Sequence, residues 1–230
     1  MMNMKAKHTF YSLGIIFFLG FLTNCRQPVI PTEEDLADYG WTLYEEKEYQ
    51  EAREWFLDAV AKDSSFADGY HGIGWCFGNL RQADSAAAYF HISQTKPFDP
   101  YDTPDLDLDL YAGLTFSYSG MHMDSLVRTY ASYVLVDLEH LFVEPYFGWY
   151  FRHDPKINHL DVRLELALAD FNMGYFVSCR DNLQSIYNDP YYQSSPSNPI
   201  KALTMNVESV LGRAELAQIL QSLQQTLKNI

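Results

Sequence analysis

The apolar residues follow three patterns along the chain. Behind Lys5 and Lys7, with no acid nearby, Phe10 to Leu22 forms a mostly apolar run of 13 residues. That is shorter than the ~18–20 residues a membrane-spanning helix needs. Between residues 33 and 188 the pattern repeats. Gly40 and Gly74 are 34 residues apart, as are Ala52 and Ala86, and Phe56 and Phe90. Past Pro199, Leu203, Val207, Val210, Leu211, Ala214, Ala217, Leu220, Leu223 and Leu227 make an apolar stripe at helical spacing, which predicts a long amphipathic helix over 199–229.

The short apolar run behind a basic start reads as a signal peptide over residues 1–24. It ends Leu22-Thr23-Asn24-Cys25, which resembles the bacterial lipobox in Leu22, Thr23 and Cys25; Asn24 departs from it. The resemblance implies lipidation of Cys25. Acyl chains contribute ~0.8 kcal/mol per buried CH₂, so several together hold a domain firmly on a bilayer. Residues 25–32, with Pro28 and Pro31, then read as a tether. Arg26 and Gln27 after the cysteine, rather than an acid, favour an outer membrane by analogy with enterobacterial sorting. Ordinary secretion and an uncleaved anchor are the competing readings.

The 34-residue spacing and its glycine, alanine and aromatic places resemble the tetratricopeptide repeat (TPR) family. The resemblance implies an all-α solenoid of helical hairpins, of about four repeats with the third and fourth irregular, closed by a C-terminal capping helix. Its frame has a small residue at place 8, Ala at 20, a large residue at 24 and a small one at 27. Repeats 1 and 2 fill residues 33–104, with Gly40, Ala52, Phe56 and Ala59, then Gly74, Ala86, Phe90 and Ser93. A degenerate third copy covers 105–139, placed to start at Leu106 with Gly113, Ser125 and Thr129. A fourth covers 160–188, with Ala167, Cys179, Leu183 and Ile186. Places 8 and 20 are expected to meet where the paired helices come closest. One hairpin cannot bury its apolar faces alone, whereas a stack can.

Two departures interrupt the frame. Lys96–Pro104 is a proline-broken loop, with Thr103 and Pro104 read as the start of the next helix. Residues 140–159 form an insertion holding Phe142, Tyr146, Phe147, Trp149, Tyr150 and Phe151, and Pro145, Gly148 and Pro155 argue against one continuous helix. So aromatic an insertion is expected to pack on the solenoid or form a lid. Asn188–Asn198 reads as a loop.

Composition narrows the classes. With 16% aromatic residues among 230, the chain is not a disordered one. Three cysteines do not make a disulfide framework. The net charge is −14, and the signal peptide would remove two lysines and no acid. Such a chain suits neither a nucleic-acid backbone nor an anionic bilayer surface, so membrane contact is expected through the lipid alone.

No motif for nucleotide, metal-protease, serine-hydrolase or redox-cysteine chemistry is present, so no catalytic residue, cofactor or metal is assigned. Asp105, Asp107 and Asp109 lack the glycine and glutamate of a calcium loop and read as acids in a first helical turn. His140, His153 and His159 follow no ligand spacing. Cys76 and Cys179 read as core thiols.

The groove remains. The TPR resemblance implies a concave wall that includes Trp41, Tyr44 and Glu45 of repeat 1, Asp68, His71 and Trp75 of repeat 2, Tyr118 of repeat 3 and Phe171 of repeat 4. The wall is aromatic and acidic and has no Lys or Arg. It lacks the basic clamp of chaperone-binding members and suits a neutral or basic envelope protein or peptide. Exposed, Trp41 and Trp75 are a binding platform; packed under the tether or the insertion, they are core. The sequence leaves both open. It also leaves a glycan- or nutrient-capturing lipoprotein resembling a reduced SusD-like protein, for which an exposed flat aromatic row is the expected mark.

Overall fold

The computed structural model describes residues 30–99, 103, 105–140, 148–195, 198–199 and 201–227. Lys5, Cys25, Pro104, Phe142, Pro145, Tyr146 and Phe147 lie outside the described residues. The domain from Thr32 onward is an all-α stack of helical hairpins, with no named strand among the described residues.

Helices α1 (Glu33–Glu45) and α2 (Tyr49–Lys62) form the first hairpin, α3 (Ala67–Asn79) and α4 (Ala83–Gln94) the second. Then come α5 (Leu106–Gly120) with α6 (Asp124–His140), and α7 (His159–Asn172) with α8 (Phe176–Asn188). Helix α1 opens on a capping box in which Thr32 and Asp35 bond each other's backbone N–H groups. The third hairpin opens on Asp105, not on Thr103, whose N–H bonds the Asp99 carbonyl.

The inner helices of all four hairpins end alike. A residue in the left-handed region turns the chain: Lys47 (φ 68°), Arg81 (φ 60°), His122 (φ 57°) and Gly174 (φ 80°). Around each, two backbone bonds close the helix end, as from Arg81 to Gly78 and from Gln82 to Phe77. Three of the four are basic side chains at the negative end of a helix dipole, which offsets part of the cost of a non-glycine residue there.

The glycines sit against rings. A Cβ on Gly40 would come within 2.9 Å of Phe56, and one on Gly74 within 2.5 Å of Phe90. It is therefore the place-24 phenylalanine, rather than the alanine at place 20, that stands nearest each glycine. Phe56 is also met by Gly72 of the next hairpin, and Phe90 by Gly113. Each ring is a wedge between two hairpins that only glycine admits.

This corrects the third repeat. Gly113 meets the preceding hairpin's phenylalanine, as Gly72 does, so it occupies place 6. The frame then starts at Leu108, which also fits the 41 residues from Arg81 to His122. Places 8, 20, 24 and 27 become Thr115, Val127, Ala131 and Val134, all buried, whereas Ser125 and Thr129 are exposed.

The C-terminus differs too. Residues 190–193 form a one-turn helix, α9 (Pro190–Gln193), inside the expected loop. The last helix, α10 (Val210–Leu227), begins eleven residues after Pro199. Leu203 and Val207 are buried without being helical, while Val210 and Leu211 are exposed. Leu216, Ile219, Leu220, Leu223 and Leu227 are buried, and the helix packs on α7 and α8.

The apolar interior has two parts. One joins the first three hairpins to residues 149–157 and to Val162 and Leu166 of α7; the other joins the rest of the fourth hairpin to α10. Between α6 and α7 a polar contact adds to the apolar packing. Arg128 Nε lies 2.6 Å from Asp170, which is fully buried and also accepts from Ser178 and Asn182.

Candidate functional site

The insertion turns back on itself as a hairpin. Phe151 N–H bonds Ile157 O at 2.8 Å, and His159 N–H bonds Trp149 O at 2.8 Å. Gly148 enters at φ 79°, where any side chain would strike the His159 ring. Asn158 ends the hairpin and caps α7, with Asp161 closing the capping box; burial pushes the Asp161 carboxyl up to about 6.

Extended backbone alternates its side chains. Trp149 and Phe151 turn toward the concave side of the first three hairpins and Tyr150 faces outward; after them, in the turn at 152–153, His153 also meets the groove and Arg152 is exposed. Phe151 is fully buried and stacks on Trp75 at 4.0 Å and 15°. His153 stacks on Trp41 at 3.8 Å and 4°, and its Nδ1 lies 2.9 Å from Glu45. Burial lowers the His153 pKa, with Glu45 opposing it. Tyr44 meets Phe151 edge-on, and its hydroxyl accepts from the Asn79 amide at 2.7 Å.

Beneath the rings runs a polar chain in which His71 and Asp109 are buried and Asp68 is partly buried. Trp41 Nε1–H donates to Asp68 Oδ2 at 2.8 Å, and Asp68 Oδ1 lies 3.1 Å from His71 Nδ1. Trp75 Nε1–H donates to His71 Nε2 at 2.9 Å, which leaves the His71 proton on Nδ1 for Asp68. Across from His71 at 3.6 Å is Asp109, which accepts from Trp149 Nε1–H at 2.7 Å. Burial pushes Asp109 up to about 7, against the opposing pull of His71 and Trp149. Burial would raise Asp68 as well, but hydrogen bonds from His71 and Trp41 outweigh it and hold that carboxyl below its usual range. Three indole N–H groups thus converge on one Asp–His–Asp chain, and one of them belongs to the hairpin. The arrangement tethers the hairpin in the groove.

Trp41, Tyr44, Glu45, Asp68, His71 and Trp75 are brought together as expected, but not as an exposed platform. Trp41 is 5% exposed and Trp75 4%. Of the two readings the sequence left open, the structure has the tryptophans packed under the insertion. Tyr118 is elsewhere: its ring stacks on Tyr130 and its hydroxyl bonds His91 at 2.7 Å. Phe171 packs on Phe176 in the second interior. His153 and His159 do not converge, since His159 bonds Asp189 at 3.0 Å; the His140 side chain lies outside the described residues. Among the described residues no cluster of three metal-ligating side chains occurs. Cys76 and Cys179 are buried free thiols, both pushed up to about 12 by burial.

Sequence reasoning missed Asp109, Trp149, Phe151 and His153 as groove residues. For Trp149 and Phe151 the signal was present in the alternation of 149, 150 and 151. Asp109 stands at place 2 of the corrected third repeat, matching Glu34, Asp68 and Asp161.

Two openings of several hundred Å³ stand out on this side among the described residues. One, of about 450 Å³, lies at the start of the groove. Glu34, Asp38, Asp63 and Asp99 line it together with Phe66 and Phe98, and among the described residues Arg152 is its single Lys or Arg. The other, of about 400 Å³, is mostly apolar and lies between the second and third hairpins. A larger cleft of about 790 Å³, away from the groove, mixes charges of both signs from Arg128, Asp181, Glu208 and Arg213.

No family model, curated protein or solved structure matches the chain.

Proposed function

We propose that the chain is a lipid-anchored TPR scaffold of the bacterial envelope, held at a membrane through Cys25, that binds a neutral or basic segment of a protein or peptide. The observation that carries the binding reading is the 450 Å³ cleft, where carboxylates surround an apolar floor. A lysine or arginine lays its aliphatic stem on such a floor and its charge among the acids. The earlier reading of an open aromatic floor gives way, because the hairpin covers it. The glycan reading loses its support for the same reason, since it called for an exposed aromatic row.

Glu34 and Asp38 are exposed on α1 and can be neutralised without touching the interior. A labelled peptide alternating Lys and Ala should bind the full chain, more weakly as salt rises, because exposed charges are screened within ~8–10 Å near physiological ionic strength. Glu34→Gln with Asp38→Asn should weaken it severalfold at an unchanged melting temperature. Binding that ignores both salt and these substitutions sinks the cleft reading. The anchor is tested separately. Cys25→Ser should leave the membrane fraction or accumulate as precursor, and an unmodified Cys25 in the mature protein by mass spectrometry would refute lipidation.

A further inference from the structure

The corrected register aligns the four hairpins residue by residue at the ends of their inner helices. At places 12 and 17, repeat 1 carries Tyr44 and Tyr49, packed edge to face at 5.1 Å. Repeat 4 carries Phe171 and Phe176 at the same places, packed edge to face at 5.4 Å. Repeat 2 carries Gly78 and Ala83, and repeat 3 carries Ser119 and Asp124. The aromatic pair that closes the outer repeats is therefore missing from the middle two.

A cavity of about 400 Å³ stands there. Gly78, Ala83 and Gly120 line it, with Trp75, Phe90 and Phe116 as aromatic walls. A Cβ built on Gly78 meets nothing within 4 Å, whereas one on Gly74 would strike Phe90. Trp75 and Phe90 are buried, and Gly78, Arg81 and Gly120 are exposed, so the latter three mark the mouth. Ile157 of the hairpin lines the cavity as well. The hairpin already fills the neighbouring stretch of groove over Trp41 and Trp75, which stops an extended peptide from running through. Among the described residues Arg81 is the only charged side chain lining the cavity. It has no hydrogen-bond or ion-pair partner for its guanidinium among the described residues, and it holds φ 60° where repeat 4 uses glycine.

We propose that this cavity is a binding site for a small aromatic acid: a planar aryl body in the place of the missing ring pair, its anionic group at Arg81. The size agrees. A cavity of about 150 Å³ accepts one benzene ring, so this one holds two fused or linked rings, and it falls in the ~300–1,000 Å³ range of small-molecule sites. The walls offer ring faces and edges suited to stacked and T-shaped contacts. The site shares no lining residue with the acidic cleft and does not depend on it.

The probe is 8-anilino-1-naphthalenesulfonate, an anion with linked aryl rings, titrated into the full chain by fluorescence. Gly78→Tyr in the same preparation serves as background. One saturable site per chain is expected, weakened at least tenfold by Gly78→Tyr and by Ala83→Tyr, which restore the ring of repeat 1, with no fall in melting temperature. Should Gly78→Tyr fail to fold, Ala83→Tyr decides. Arg81→Gln should weaken the sulfonate severalfold and leave the neutral N-phenyl-1-naphthylamine unchanged. The site is refuted if the parent shows no saturable binding, or if the ring-restoring variants bind like the parent. Equal loss of both dyes in Arg81→Gln, or loss of neither, refutes the anionic group. Displacement by acetyl-Phe-Tyr-Phe-amide as effective as by 1-naphthoate overturns the small-molecule assignment in favour of a socket for protein side chains.

Discussion

Repeats 1 to 3 cover their concave face with a hairpin borrowed from the chain after α6, whereas repeat 4 is covered by α10. The first interior is built of rings over a largely buried Asp68–His71–Asp109 chain. The second is mostly aliphatic, with Leu160, Leu183, Ile186, Leu216 and Leu223 among its buried residues. The aliphatic part is closed chiefly by apolar packing. The aromatic part adds a set of directional bonds that only one placement of the hairpin satisfies, because a buried polar chain costs stability when any member loses its partner. The difference is one of specificity: α10 is held by apolar packing, whereas the hairpin is held in a fixed register.

The largest test of that contrast removes the central ring of the first interior. Phe151→Ala should cost about 3–5 kcal/mol. Hydrogen exchange should then speed up across α1 and α3 while α10 keeps its protection. Equal loss in both regions would show that the two interiors are one cooperative unit. Next in size is the wedge between hairpins. Gly74→Leu should overpack Phe90 and cost about 1–3 kcal/mol or more in a thermal melt; an unchanged melt would contradict the assigned frame.

The smallest effect is a slope with pH. Asp109 titrates near 7 in the folded chain against 3.8 for an ordinary aspartate, so the folded state holds the proton more tightly. Its stabilising protonated form is fully present below about pH 4 and is lost as pH rises toward 7. Asp109→Asn keeps the acceptor for Trp149 and removes the titration. The parent should therefore lose stability relative to the variant between pH 4 and 7, measured as the difference of their melts; parallel curves would mean that Asp109 is not buried as described.

Repeats 1, 2 and 4 were legible because Gly40 and Gly74, Ala52 and Ala86, and Phe56 and Phe90 keep one spacing, and because Ala167, Cys179, Leu183 and Ile186 fit the same frame. Repeat 3 was misread by two residues. Both place 6 and place 8 press on a phenylalanine, so a glycine at either place looks alike in sequence, and Gly113 was assigned to the wrong one. Of the expected groove residues, the six from repeats 1 and 2 were legible as a set, whereas Tyr118 and Phe171 lie elsewhere. The burial of Trp41 and Trp75 was not, because the covering hairpin lies 76 residues past Trp75 and more than a hundred past Trp41, and no local pattern states what a loop will cover. The start of α10 was misplaced because Leu203 and Val207 keep helical spacing with the helix beyond them, although their backbone is not helical.

One contact has a consequence for how the chain is made. His153 reaches Glu45 across 108 residues of sequence. In a simple repeat stack each unit contacts only its neighbours, so folding can begin at any point and spread. Here the first three units emerge from synthesis before the segment that covers Trp41 and Trp75 exists. Until residue 153 arrives, those indoles and their carboxylate and imidazole partners face solvent. The long-range closure slows completion and lengthens the exposure of apolar surface in the growing chain. A truncation that ends before residue 149 therefore does not yield a shorter version of this protein. It yields a stack with an open wound along its inner wall.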